Sequence, residues 1–418
     1  MGFFSAGARA AGILSIVVFA AACTESLDTS VGCPDLCSNQ QGQIETITID
    51  PVVLDTTVSA ATGLGTELSM LLASRGDTVD SRAVIRFDSI PERYIKSPTD
   101  TPVVSVVDSA RLRLRLDTVG AKLPAGPITI QAYDVNTNAP DTLTSAVAAL
   151  FTPDRLITSK TFVRADFKDS INIEIPGEAI VARRAQRLRI GLRAVAQGPV
   201  QFRIFSVEAG GGAQLYFRAD KDTTVKPIIL TPNSKTPANQ ATIAFSLSDY
   251  SLLVKGPPPG PPEALNVGGL PARRVYMRFD VPKFISDTAQ IVRATLLLTQ
   301  RPDLTGEKDD TVRVIANVSL ATKSVTDLSR AAQIVAGTTL DTLKISPADS
   351  GLKTLEVAQV IALWRSQSSE DTPRALILLS TTEGLASTQA RFFSIEAAPN
   401  LRPRLRISYS TRKSRGLP

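Results

Sequence analysis

The sequence predicts an all-β protein made of two tandem antiparallel β-sandwiches with short helices at their edges. Charged and apolar residues alternate with a period of two, most clearly from Arg111 to Leu116, so one face of such a strand is apolar. Pro, Gly, Asp and Asn separate these short runs, which is typical of antiparallel strands joined by turns. The second half of the chain also repeats the segment order of the first half. These patterns favour an antiparallel sandwich over a parallel α/β sheet.

Residues 1–22 have the layout of a secretory signal peptide, in which Arg9 precedes an apolar run that ends at Ala22. The run is shorter than the roughly 20 residues that a membrane-spanning helix needs. Small residues followed by Cys23 resemble the bacterial lipoprotein signal. The resemblance implies that Cys23 carries the lipid, and Thr24 in place of an inner-membrane Asp favours the outer membrane. An ordinary A-x-A cleavage site beside an incidental cysteine is the alternative.

Residues 23–43 are polar and lack strand or helix periodicity, which predicts a tether between the lipidated N-terminus and the first sandwich. Cys33 and Cys37 lie in this tether with three residues between them. They can form a small disulfide in an oxidising compartment, or they can stay as two free thiols. A metal or redox pair is less favoured because the chain has no histidine, and its third cysteine, Cys23, is expected to carry the lipid.

Three segments recur in the same order in both halves of the chain. The R-F-D segments are offset by 192 positions and the F-S-x-E-A segments by 188. The matched pairs are Arg86–Asp88 with Arg278–Asp280, Ala110–Leu116 with Ala294–Leu298, and Phe205–Ala209 with Phe393–Ala397. We infer a tandem duplication, with sandwiches at 44–222 and 223–411 and a basic tail at 412–418. Each half can bury a core at this length, so a cut near residues 221–225 is expected to leave two folded pieces.

Two stretches have helical rather than strand periodicity. Residues 355–364 contain good helix formers, and the apolar residues of this stretch fall on one helix face. Trp364, the single tryptophan, lies on that face, so it is expected in the core and not as a platform for a sugar ring. Residues 325–334 predict a second short helix, with Thr326 or Asp327 as its N-cap.

The order of these segments resembles the bacterial DNRLRE-type carbohydrate-binding module. The second copy carries the resemblance over nearly its whole length, through the segments Arg278–Asp280, Ala294–Leu298, Leu355–Trp364, Ala375–Leu379, Phe393–Glu396 and Pro403–Tyr409. In the first copy, the segment at Ala179–Arg184 has no tryptophan. The resemblance implies a jelly-roll sandwich, and it implies a glycan as the ligand.

Two polar pairs are candidate site residues. In the R-F-D strands, Arg86 and Arg278 fall on the face opposite the apolar residues. The same alternation places Glu208 and Glu396 on that face, so we expect the pairs Arg86–Glu208 and Arg278–Glu396 between neighbouring strands. Such a pair is either part of a polar binding surface or a structural cross-strand ion pair worth about 0.2–1 kcal/mol.

Composition excludes several classes of function. Histidine is absent from the 418 residues, which excludes Ser-His-Asp and Cys-His catalysis and HExxH zinc sites within this sequence. The 46 Lys and Arg residues are scattered among 40 Asp and Glu residues, and aromatic residues make up only 5%, so no nucleic-acid partner is expected. No catalytic residue, metal ligand or cofactor is predicted.

We therefore expect a non-enzymatic envelope lipoprotein that displays its sandwiches for ligand binding. Its expected partners are the membrane, through the lipid anchor, and a polysaccharide or an envelope protein. A structural or assembly protein without a small ligand is the alternative. A polysaccharide hydrolase is a third possibility, although no two carboxylates are singled out by the sequence.

Overall fold

The computed structural model describes residues 44–60, 65, 67–234, 248–256, 261, 263–285, 289–303, 310–338, 341–366 and 371–411. The predicted signal peptide at 1–22, the tether at 23–43 with Cys23, Cys33 and Cys37, and the basic tail at 412–418 lie outside these residues.

The described residues are mostly β-strand. The strands are β1 Ile44–Ile49, β2 Val52–Ser59, β3 Ser69–Arg75, β4 Val79–Phe87, β5 Ser109–Lys122, β6 Ile128–Asp134, β7 Leu156–Phe162, β8 Ser170–Glu174, β9 Leu188–Ala196, β10 Val200–Phe205, β11 Gln214–Arg218, β12 Ile228–Leu230, β13 Asp249–Lys255, β14 Ala264–Gly268, β15 Arg273–Phe279, β16 Ala289–Arg301, β17 Val312–Ser319, β18 Val335–Thr338, β19 Leu343–Ile345, β20 Gly351–Glu356, β21 Ala375–Ser380, β22 Gln389–Phe393 and β23 Arg404–Thr411. The α-helices are α1 Thr144–Ala148, α2 Gly177–Val181, α3 Leu328–Ala331 and α4 Ala358–Ser366.

The strands form two antiparallel sheets, which confirms the predicted all-β class. One sheet has the order β12-β11-β5-β10-β3-β4-β9-β6-β7, with β13 on β4 and β8 on β5. The other has the order β1-β23-β16-β22-β14-β15-β21-β17-β18, with β2 on β15, β20 on β16 and β19 on β17. We call them the first sandwich (residues 67–255) and the second sandwich (residues 44–60 and 261–411).

A long strand lets each sheet close over its own core. In the first sandwich, the first half of β5 pairs with β8 and β11, while its second half pairs with β10. Leu112 and Leu114 of β5 thereby face Ile85 of β4 and Ile190 of β9 across a single hydrophobic core. The intervening arginines of β5 are exposed, so the predicted alternation in this strand is confirmed.

The two sandwiches do not divide the chain at residues 222 and 223. Strands β1 and β2 pair with β23 and β15, so residues 44–59 belong to the second sandwich. Strands β12 and β13 pair with β11 and β4, so they belong to the first. The predicted boundary therefore does not hold, because each sandwich takes the strand pair that begins the other half of the duplicated sequence.

The two strand pairs, β1-β2 and β12-β13, occupy equivalent positions in their sandwiches. Asp249 of β13 lies opposite Ile85 of β4, and Asp55 of β2 lies opposite Met277 of β15. Ile85 and Met277 each precede the arginine of an R-F-D segment. The same register therefore occurs in both sandwiches. In the first sandwich, β12 and β13 come after their partner strands in the sequence. In the second sandwich, β1 and β2 come before their partner strands.

Short helices occur at both predicted places but with other bounds, since residues 355 and 356 belong to β20 and α3 spans only Leu328–Ala331. Trp364 is buried in α4, its ring lies 5.2 Å from that of Phe279, and its Nε1 donates a hydrogen bond to the carbonyl of Ala375. Its predicted core position is confirmed. The side chain of Asp327 accepts hydrogen bonds from the backbone of Ser329 and Arg330 and so caps α3, as predicted.

Candidate functional site

The predicted pair between Arg86 and Glu208 is not formed. Arg86 instead forms ion pairs with Asp88 and Asp141. Strand β4, which carries Arg86, has β3, β9 and β13 as its neighbours, and β10 is not among them. Glu208 lies beyond β10 in a short 3-10 helix, Val207–Ala209, so it cannot oppose Arg86 across a strand pair.

The corresponding pair in the second sandwich is not formed either. Arg278 lies on β15, whose partners are β2, β14 and β21, while Glu396 follows β22. No ion pair joins these two described residues. The strand alternation does not extend to Glu208 and Glu396, because both residues lie beyond the ends of their strands, and it did not identify the neighbours of β4 and β15.

Arg86 belongs to a buried ionic cluster in the first sandwich. Its Nη1 lies 2.9 Å from Oδ2 of Asp141, and Nη2 of Arg189 lies 3.1 Å from the other oxygen of the same carboxylate. Tyr250 of β13 also donates a hydrogen bond to Asp141. Burial alone would lower the pKa of Arg86, but the hydrogen bonds and charges of Asp88 and Asp141 raise it. Arg189 is only 1% exposed, so the cluster is inaccessible to a ligand in solution. This burial indicates a structural role.

Two buried aspartates anchor the strand pairs to the F-S-x-E segments. The backbone N–H of Val207 donates to Oδ2 of Asp249 at 3.0 Å, and that of Ile395 donates to Oδ2 of Asp55 at 2.9 Å. Burial, reinforced by the charge of Glu208, raises the pKa of Asp249 to about 7. Burial also raises the pKa of Asp55 to about 6. Each strand pair thus brings one carboxyl group, easily protonated near neutral pH, to the sandwich that it completes.

These aspartates make stability depend on pH. Because their pKa values in the folded state exceed the ordinary value of about 3.9, the folded state binds protons more tightly than the unfolded state. The free energy of unfolding is therefore expected to fall as pH rises from about 4 to about 7. Asp249→Asn should flatten this dependence and melt above the wild-type protein at pH 8, whereas Asp108→Asn at an exposed position should change neither. Identical pH profiles for the wild-type protein and Asp249→Asn would contradict this assignment.

An open polar surface lies on the outer face of the β8-β5-β11 layer in the first sandwich. We call it the outer-face site. Cross-strand pairing places Arg111 between Glu174 and Tyr216, and the next row places Arg113 between two side-chain amides. The amide residues of that row are Asn172 and Gln214.

The side chains of the outer-face site are positioned by their neighbours. The guanidinium carbon of Arg111 lies 5.1 Å from the centre of the Tyr216 ring, and Tyr216 donates a 2.6 Å hydrogen bond to Gln214. Glu174 accepts a hydrogen bond from Lys160, which lowers the pKa of Glu174 and keeps it charged. A shallow cavity of about 310 Å³ opens beside Arg111 and Tyr216.

The arginines of this surface are available to a ligand. Arg111, Arg113 and Arg115 are exposed, and no described residue forms an ion pair with any of them. Guanidinium groups next to an aromatic ring and to side-chain amides can bind carboxylates, sulfates or sugar hydroxyls. The alternation of arginine and leucine in the sequence indicated this face. No sequence pattern indicates the partners on β8 and β11, because only strand pairing brings them next to the arginines.

The second sandwich has no equivalent of this surface. Thr295 and Leu297 of β16 occupy the positions of Arg111 and Arg113, and both are buried. Arg406 of β23 occupies the position of Tyr216. The outer-face site is therefore a property of the first sandwich alone.

A second depression lies where the two sandwiches meet. Lys122 forms an ion pair with Asp310, and Ser387 donates a 3.1 Å hydrogen bond to Gln201. The depression has a volume of about 680 Å³. It includes the basic residues Lys122, Arg164, Arg203, Arg313 and Lys344. Its residues hold the sandwiches against each other through polar contacts.

Comparison with known proteins leaves the family open. No family model and no curated protein matches the chain, so the resemblance to DNRLRE-type modules stays a prediction. A protein from Parabacteroides distasonis thought to be secreted is 11% identical, with 87% of this chain and 99% of that chain covered and a TM-score of 0.23. The infectious bursal disease virus VP2 particle is 9% identical over 88% and 76%, with a TM-score of 0.12. Likenesses at this level carry no argument about fold or function. Within the described part of the chain, no helix has the length and apolar character needed to span a membrane.

Proposed function

We propose that the chain is an exported, lipid-anchored envelope protein without catalytic activity, and that it binds an anionic glycan at the outer-face site. The observation that carries the proposal is the row of exposed arginines on β5 beside Tyr216 and the amides of Asn172 and Gln214. The resemblance of residues 1–22 and Cys23 to a bacterial lipoprotein signal supports the anchor, with the outer membrane as the proposed location. The DNRLRE-type resemblance supports a glycan as the ligand class.

The charge pattern favours an acidic polymer over a neutral sugar. Arg111, Arg113 and Arg115 follow one another at every second position, which spaces their Cα atoms by roughly 7 Å along the strand. A row of like charges at regular intervals fits a polymer whose carboxylates or sulfates also repeat. Tyr216 and the amides can then bind the sugar rings and hydroxyls between those charges.

The test is a binding titration of residues 24–418 with a polyuronate and with a neutral glucan of similar length. We expect the polyuronate to bind and its affinity to fall as salt is raised, because exposed charges are screened. Arg113→Ala should weaken binding roughly tenfold or more, since charge-assisted hydrogen bonds contribute about 1.5–3 kcal/mol. Tyr216→Ala should also weaken it.

Arg406→Ala in the second sandwich is the matched control, because Arg406 is exposed and occupies the position equivalent to Tyr216. It should bind as tightly as the wild-type protein. Equal affinity of the wild-type protein, Arg113→Ala and Tyr216→Ala would contradict the outer-face site. Absence of binding to every acidic polymer tested would favour the alternative function.

That alternative is a structural or assembly protein of the envelope. The specific observation in its favour is that the second sandwich is completed by strands from the other end of the described chain. A chain built in this way can serve as a spacer whose two ends are held together. It needs no small ligand.

A further inference from the structure

We infer that the second sandwich also accepts β1 and β2 from a second copy of this chain, so that copies join head to tail by strand exchange. The partner is an identical chain. The interaction surface, which we call the seat, consists of the edges of β15 and β23 with which β2 and β1 pair. The inference does not depend on glycan binding.

The seat binds the strand pair through specific contacts. Strand β1 pairs with β23 from Ile44 to Ile49, and β2 pairs with β15 from Val52 to Ser59. Val58 is buried against Tyr276, and the carboxyl group of Asp55 accepts the hydrogen bond from Ile395. A second copy offers the same strands with the same side chains, so every one of these contacts is reproduced when the strand pair comes from another chain.

The order of strands favours this exchange. The first sandwich is completed by β12 and β13, the strand pair that begins the next repeat in the sequence. By the same rule, the second sandwich would be completed by the strand pair that begins the repeat after it. An identical strand pair is present in every other copy of the chain. Within one chain, β1 and β2 take that position, so the strand pair that begins the first repeat completes the second sandwich.

The link between β2 and β3 sets the balance between closure and exchange. Residues 60–68 connect β2 of the second sandwich, which ends at Ser59, to β3 of the first, which begins at Ser69. A short linker gives the attached strands an effective concentration of roughly millimolar, so closure within one chain dominates at low concentration. Shortening the link disfavours closure, and domain swapping between copies is the expected result.

The experiment uses two versions of residues 24–418, both with Cys33→Ser and Cys37→Ser. One carries Ser59→Cys and the other carries Arg273→Cys with a size tag, because Ser59 and Arg273 lie opposite each other on β2 and β15. The two are unfolded, mixed at 100 µM, refolded and oxidised. We expect a disulfide-linked heterodimer in roughly one chain in ten. Its yield should rise when residues 61–64 are deleted and fall when eight Gly and Ser residues are inserted there.

The matched control replaces Arg273→Cys by Ser81→Cys. Ser81 is the position on β4 that β2 would oppose if it entered the first sandwich, where Leu253 of β13 lies now. No heterodimer is expected from that mixture. The inference is overturned if no Ser59–Arg273 heterodimer forms at any length of the link, or if the Ser81 mixture yields as much heterodimer.

Discussion

A cut between residues 222 and 223 is expected to give two halves that are unfolded or aggregated alone and that fold when mixed. The half that ends at residue 222 keeps β1 and β2 without their seat and lacks β12 and β13. The other half lacks β1 and β2, so β15 and β23 become open edges. Unpaired edges and an open core favour aggregation over folding. Circular dichroism and gel filtration of each half and of their equimolar mixture measure the effect.

The control is a cut that follows the strand pairing instead of the sequence repeat. Residues 67–256 contain β3 to β13 and therefore every strand of the first sandwich. We expect this fragment to be monomeric and to unfold in one cooperative transition. A folded fragment 44–222 together with an unfolded fragment 67–256 would contradict the observed pairing.

Asp141→Ala is expected to destabilise the first sandwich by about 3–5 kcal/mol, because it removes one partner from a buried ion pair. Arg189 would keep its charge while buried, and Asp141 is the carboxylate that pairs with it among the described residues. Arg86 would keep Asp88, but Tyr250 would lose its hydrogen-bond acceptor. Urea unfolding of residues 67–256 measures the change.

Glu174→Ala is the matched control for this prediction. Glu174 forms an ion pair with Lys160 at the surface, where its side chain is 69% exposed. Exposed pairs contribute about 0–1 kcal/mol, so this variant should unfold close to the wild-type midpoint. If Asp141→Ala and Glu174→Ala lower stability equally, then the buried cluster does not hold the sandwich as described.

Patterns that depend on neighbours along the chain were predictable from the sequence. The alternation around Leu112 and Leu114 identified both the strand and its buried face. The spacing of apolar residues before Trp364 predicts that ring in the core, and Asp327 is one of the two N-caps that the sequence predicts. In each case a local period or a local hydrogen bond decides the outcome.

Partners between distant strands were not predictable. Strands β2 and β13 are equivalent in the two repeats. Local patterns therefore do not show that β13 pairs with β4 and β2 with β15. Arg86 was placed on the correct face, but its partner Asp141 comes from the connection between β6 and α1. Only part of the outer-face site was predictable from the sequence. The alternation of β5 indicates its arginines, whereas Tyr216 lies beside them only because β11 pairs with β5.

The measurement that tests the assignment of β1 and β2 to the second sandwich most directly is a disulfide within one chain. Residues 44–411 contain no cysteine, so a pair introduced there has no competitor. Residues directly opposite on antiparallel strands have Cβ atoms about 4.5–5.5 Å apart, which is close enough to bridge with a small adjustment. We expect Ser59→Cys with Arg273→Cys to oxidise readily to a monomeric, cross-linked protein, and Ser59→Cys with Ser81→Cys to stay reduced. Cross-linking of the Ser81 pair, with the Arg273 pair reduced, would contradict the account.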